Sequence, residues 1–99
     1  MYSDELMLMI AKFLYGEYDA EGFSFDFPAR LSYIYDDLRK ENEQLCDLFE
    51  DDMPEICAGY DPHGTGDDDT YGLSEFKSRV FDIYGKALPL VNPNLRKIS

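Results

Sequence analysis

Apolar residues recur with helical spacing along most of the chain. From Ser3, read as an N-cap with Asp4 and Glu5 in the first turn, the residues Leu6, Met9, Ile10, Phe13 and Leu14 form one amphipathic stripe that Gly16 stops. A second segment opens at Asp19, another N-cap candidate, and sets Phe23, Phe27, Leu31, Ile34, Tyr35 and Leu38 at spacings of four, four, three, one and three. Period 3.6 fits these better than period 2, although Phe23, Phe25 and Phe27 also alternate as in a strand. Pro28 brings no amide hydrogen, so it predicts a kink there or a restart with Asp26 as cap. A third helix from about Glu41 aligns Leu45, Leu48, Phe49, Asp52 and Ile56, bends or restarts at Pro54, and ends at Gly59. The fourth, from Leu73 or Ser74, presents Phe76, Val80, Ile83, Tyr84 and Ala87 before Pro89 forbids continuation. The tail, 89–99, has two prolines and no period, and is expected to be extended.

Four such helices, each with one apolar stripe, bury one another by forming a bundle, so the pattern predicts an all-α, single-domain fold with its bundle over about 3–88. Ninety-nine residues with 44% hydrophobic and 15% aromatic content supply enough apolar area for a core, which excludes a disordered acidic tail. The Met and Phe positions read as core, because no haem or metal ligand accompanies them. Cys46 and Cys57, eleven residues apart on one helix, would stand roughly 16 Å apart, beyond disulfide reach, and read as buried free thiols. No apolar run approaches a membrane span and the N-terminus is acidic where a signal peptide is basic, so the expected location is the cytoplasm.

Charge changes this picture most. Twenty-one acids against nine bases give −12, unevenly spread: residues 1–35 carry six acids and two bases, 36–69 thirteen and two, and 70–99 two and five. So dense a negative field repels RNA, DNA and anionic lipid and attracts a basic protein surface at high on-rate. Solubility alone accounts for acidity in many domains. The clustering in the middle third argues for more.

The segment Gly59–Gly72, GYDPHGTGDDDTYG, raises calcium binding. Counted from Asp61, an EF-hand loop has its glycine at Gly66, but His63 and Thr65 occupy ligand positions and Gly72 stands where a bidentate Glu belongs. Metal binding is therefore not predicted, and no cofactor is. Catalysis fares no better. His63, the single histidine, could titrate or ligate but reads as an exposed polar residue. Asp36–Asp37 and Asp51–Asp52 are adjacent pairs that point about 100° apart on a helix and cannot share a substrate bond. Ser74 and the cysteines have no histidine nearby in sequence, and the glycines lack a following Lys-Ser/Thr for phosphate. The chain does not read as an enzyme.

The runs YDAEGFSFDFPARLSYIYDDL, LCDLFEDDMPEICAGYDP and DTYGLSEFKSRVFDIYGKAL resemble the colicin D immunity family, which includes immunity proteins of contact-dependent growth inhibition systems. The resemblance spans residues 6–88. It rests on Asp19-Ala20 before Phe23 and Phe27, on Tyr35, Leu48-Phe49, the Tyr60-Asp61-Pro62 turn, and the last helix from Leu73 through Phe76 and Val80 to Tyr84. It implies a small antiparallel four-helix bundle that binds a ribonuclease toxin, usually a tRNA-cleaving C-terminal domain, in a one-to-one complex and blocks its active site. Pro28 and the glycine- and acid-rich DPHGTGDDDT loop depart from the pattern and leave the cognate toxin open.

A nuclease cleft presents cations to phosphates, and a carboxylate-lined surface can fill it as an RNA mimic. The expected surface joins Asp51, Asp52 and Glu55 near the end of the third helix to Asp61, Asp67, Asp68 and Asp69, provided the helix turns back at Gly59. Tyr60 and Tyr71 flank the loop and could stack on partner groups. Two other readings compete: an acidic adaptor or nucleic-acid mimic for a different basic protein, such as a DNA-binding regulator, and a calcium-responsive module built on 61–72.

Overall fold

The computed structural model describes residues 2–61 and 70–91. Five α-helices follow in order: α1 Tyr2–Leu14, α2 Ala20–Tyr33, α3 Tyr35–Glu41, α4 Glu43–Gly59 and α5 Leu73–Val91. The described residues contain no strand, only an isolated parallel bridge between Tyr60 and Tyr71. None of the helices is long and apolar enough to cross a membrane.

The count is five rather than four because the second apolar segment divides at Ile34. Its ψ of 12° takes one residue out of α geometry, although Ile34 still donates to the Arg30 carbonyl (3.0 Å) and accepts from the Leu38 amide (2.8 Å). Leu31, Ile34 and Leu38 are buried on both sides of the break, so apolar spacing could not reveal it. Pro28 and Pro54 lie inside α2 and α4, with no restart at Asp26. Pro89 does not end α5 either. The bond it forfeits is one turn from the helix end, where Ala87 is buried and Leu88, Leu90 and Val91 pack on the core. Asn42 Nδ2 also donates to the Leu90 carbonyl (3.0 Å), so tertiary contacts hold the last turn in place of the missing amide. The expected extended tail is thereby shortened at 89–91, and residues 92–99 lie outside the described residues.

Local signals set most helix ends. Gly16 adopts φ 83° and closes α1 as a Schellman motif, its amide bonding the Phe13 carbonyl (3.1 Å) and that of Glu17 the Lys12 carbonyl (2.8 Å). Asp19 Oδ2 accepts from the Gly22 amide (3.0 Å) at the start of α2, and Asn42 Oδ1 accepts from the Leu45 amide (3.1 Å) at the start of α4. Ser3 is not the cap of α1: the helix starts at Tyr2, Ser3 is buried in its first turn, and Glu41 from the end of α3 accepts the Tyr2 amide (3.0 Å).

α1 and α4 each pack against α2, α3 and α5. Fully buried phenylalanines join these elements: Phe13 stacks on Phe23 (4.5 Å between centroids), Phe27 meets Phe49 edge-on (5.3 Å), and Phe76 closes on Phe13 (4.9 Å). In α4 the buried line is Leu45, Cys46, Phe49, Met53 and Cys57. The expected line is therefore displaced, with Leu48, Asp52 and Ile56 at the half-buried margin. Both cysteines are buried and free.

Candidate functional site

α4 carries six acids, Glu43, Asp47, Glu50, Asp51, Asp52 and Glu55, and no base. Glu43, Asp47, Asp51 and Glu55 recur every four residues, so four carboxylates run down one side of the helix. The N-terminal half of this ladder is compensated. Arg39 of α3 reaches Glu43 (3.0 Å) and Asp47 (2.9 Å), and Glu50 accepts from the Tyr35 hydroxyl (2.7 Å), which holds the Tyr35 phenol above its ordinary range. The C-terminal half is not: Asp51, Asp52 and Glu55 make no ion pair among the described residues. Asp51 and Glu55 are exposed and Asp52 is half-buried.

Asp52 and Glu55 border a groove of about 630 Å³ between α4 and α5. One wall has Asp52, Glu55 and Ile56; the other has Glu75, Arg79, Asp82 and Lys86, with Tyr71 at the end. Arg79 pairs with Glu75 one turn earlier (2.9 Å) and lies 4.5 Å over the Tyr71 ring, and no ion pair crosses the groove among the described residues. The surface beside Asp52 and Glu55 is thus of mixed sign, not the uniform acid the sequence suggested.

The chain does turn back at Gly59, as the acidic-surface reading required. The Tyr71 amide donates to the Gly59 carbonyl and the Asp61 amide to the Tyr71 carbonyl, both 3.0 Å, which sets Tyr71 beside residues 59–61. Gly59 serves here through its missing side chain, not through a left-handed backbone: a Cβ on it would stand 2.7 Å from the Tyr71 ring. The two tyrosines are engaged inside the fold. Tyr60 stacks on Phe76 (4.5 Å, 16°), and burial together with the nearby Asp19 and Glu21 raises its phenol. Tyr71 donates its hydroxyl to the Ile56 carbonyl, one of the four left open by the end of α4, and burial raises its phenol too.

Of the expected site residues, Tyr60, Asp61 and Tyr71 meet at the C-terminus of α4, Asp52 and Glu55 line the groove that Tyr71 also borders, and Asp51 lies one turn before Glu55 on the same helix. Asp67, Asp68, Asp69 and His63 lie outside the described residues, as does most of the 61–72 loop considered for calcium. Among the described residues no group of three or more His, Cys, Asp or Glu could hold a metal ion. The α5 wall was missed, though its signal was present: Glu75, Arg79, Asp82 and Lys86 are spaced four, three and four, a charged stripe on the side of the helix away from Val80 and Ala87. Compared with protein-family models, with curated proteins and with solved structures, the chain matches none.

Proposed function

We propose that this chain is an immunity protein, a stoichiometric inhibitor that binds a basic nuclease toxin domain of the tRNA-cleaving kind and occupies its phosphate-binding cleft. The observation that carries the reading is the uncompensated carboxylate cluster Asp51, Asp52 and Glu55 on a base-free helix beside an open groove. Cations that grip RNA phosphates in such a nuclease would meet this cluster, and Asp61 with the Asp67–Asp69 run would extend it. The resemblance to colicin D immunity proteins supports the same assignment, and the mixed-sign α5 wall would help one cleft to be distinguished from another.

The test is co-expression with the product of the neighbouring gene. The proposal expects a one-to-one complex whose affinity falls as salt rises, and growth protection that is lost in an Asp51→Lys, Asp52→Lys, Glu55→Lys variant with unchanged helical circular dichroism. A parallel Asp67→Lys, Asp68→Lys, Asp69→Lys variant reports on the loop. Protection that survives both variants removes the acidic face as the interface. Capture of a DNA-binding regulator in place of a nuclease would instead favour the adaptor reading.

A further inference from the structure

α5 carries a second stripe besides its core line. Ser74, Lys77, Ser78, Phe81 and Tyr84 follow at spacings of three, one, three and three, beside the line of Phe76, Val80, Ile83 and Ala87 that is buried. This stripe lines a groove of about 420 Å³ between α1 and α5, within the size range of small-molecule sites. Its residues sort along the helix. Ser74, Lys77 and Ser78 lie in the first two turns of α5, and Phe81 and Tyr84 in the next two. On the α1 side, Ala11 and Leu14 are apolar and Tyr15 adds a ring.

The charge inside this groove is of the opposite sign to the chain. Lys77 is the one charged residue lining it, in a protein with twenty-one acids. Glu75 and Asp82, the acids of α5, line the α4–α5 groove on the other flank of the helix. The three described arginines are all ion-paired, and Lys12, Lys40 and Lys86 are exposed. Lys77 is thus the one described base that is half-buried and makes no ion pair. Partly desolvating an ammonium without a counter-charge is costly, and the groove beside it has room for an anion. The hydroxyls of Ser74 and Ser78 are further donors to such a group. A single cation matches a single negative charge, which suits a carboxylate better than a phosphate monoester with nearly two. The aromatic end suits a flat apolar body, since Phe81 is 63% exposed and Tyr15 84%, with rings open to contact.

We infer that the α1–α5 groove binds a small aromatic monoanion, an aryl carboxylate that accepts from Lys77, Ser74 and Ser78 while its ring packs against Phe81. The site is separate from the acidic face of α4 and does not depend on the immunity reading. The chain has no tryptophan, so indole emission reports on an added ligand alone. The test therefore holds indole-3-propionate at low micromolar concentration, titrates it with the full chain to near-millimolar, and reads fluorescence anisotropy. A ligand of this size is expected to bind with a Kd of about 0.1–1 mM. The neutral indole-3-propionamide should bind at least about tenfold more weakly. Lys77→Met, which keeps most of the side-chain length without the charge, should bring the acid down to the level of the amide, and Lys77→Arg should restore it. Phe81→Ala should weaken the acid by about threefold to tenfold. Backbone amide chemical shifts of the parent protein give a readout free of any substitution: the acid should move residues 74–84 and leave 51–55 in place. No rise in anisotropy, equal binding of acid and amide, or shifts centred away from Lys77 would each overturn the inference.

Discussion

Gly59→Ala separates two physical effects of opposite sign. Alanine is favoured over glycine within a helix by up to about 1 kcal/mol, less at a terminal position, so propensity alone predicts a stabilised protein. Against it stands the close approach: the new methyl would lie 2.7 Å from Cε2, Cζ and the hydroxyl oxygen of Tyr71. The ring is not free to swing aside, because its hydroxyl holds the Ile56 carbonyl, Arg79 covers its face at 4.5 Å, and its amide and carbonyl bridge Gly59 and Asp61. Displacing it forfeits a hydrogen bond of about 1 kcal/mol and a cation–π contact of about 0.5–1 kcal/mol. Set against a propensity gain of a few tenths at the helix end, the net is a loss of about 1 kcal/mol, or roughly 4–8 °C in Tm for a domain of this size. Urea unfolding followed at 222 nm would show a lower midpoint at unchanged slope. In a Tyr71→Ala background, where the obstacle is gone, the same substitution should be neutral or stabilising. A Gly59→Ala protein at least as stable as the parent would refute the account of why this helix ends where it does.

Two further outcomes follow from the caps and the core. Asp19→Ala removes the acceptor of the Gly22 amide and should cost about 0.5–2 kcal/mol by urea unfolding, whereas Asp19→Asn should retain most of the stability. Burial pushes the Cys57 thiol up to about 12, and burial with the Asp26 hydrogen bond pushes the Tyr18 phenol to about 12. Both groups bind a proton more tightly folded than unfolded, so their contributions are intact below the unfolded values of 9.0 and 10.0 and are lost as pH rises towards 12. Alkaline titration of the urea midpoint should show this decline, and a thiol reagent at neutral pH should leave Cys57 unmodified until the chain unfolds.

Helix content was legible because the apolar spacing, Asp19 and Gly16 are local signals, and Asp19 and Gly16 stand in the structure where their chemistry places them. What escaped was decided by contacts distant in sequence. Ile34 leaves α geometry while keeping its place in the core, so nothing in the spacing marks it. Pro89 continues α5 because Asn42, 48 positions before Leu90, anchors the last turn. In α4 the line through Asp52 and Ile56 loses to one through Met53 and Cys57, since a cysteine buries as readily as an aliphatic residue and an aspartate does not. At the site, the acidic run was plain in composition, but its partition into an Arg39-compensated half and an open half depends on α3 lying beside α4. The aromatic rings at Tyr60 and Tyr71 look alike in sequence as partner contacts. Only the fold shows them turned to Phe76 and to the Ile56 carbonyl.

α1, α2 and α3 follow the macrodipole at both ends, whereas α4 and α5 have no base in the last turn, and α4 in addition carries acids towards its C-terminal end. α1 has Asp4 and Glu5 in its first turn and Lys12 in its last, α2 has Glu21 and Arg30, and α3 has Asp36 and Asp37 against Arg39 and Lys40. α4 ends without a base, and Glu55 approaches its negative end with Asp51 and Asp52 as like-charged neighbours at four and three residues. Each such pair costs about 0.2–0.5 kcal/mol, and the dipole adds a few tenths more. Glu55 has no ion pair among the described residues to offset this. Glu55→Gln should therefore stabilise the isolated chain by about 0.5–1 kcal/mol at low salt, with the gain fading as salt screens the repulsion. If the proposed function holds, the same change should also weaken binding to the partner nuclease, whose cations would compensate a carboxylate kept at a cost to its own helix. If Glu55→Gln destabilises the free protein, the Arg79–Lys86 wall already neutralises that carboxylate, and the charge is a structural one across the α4–α5 groove.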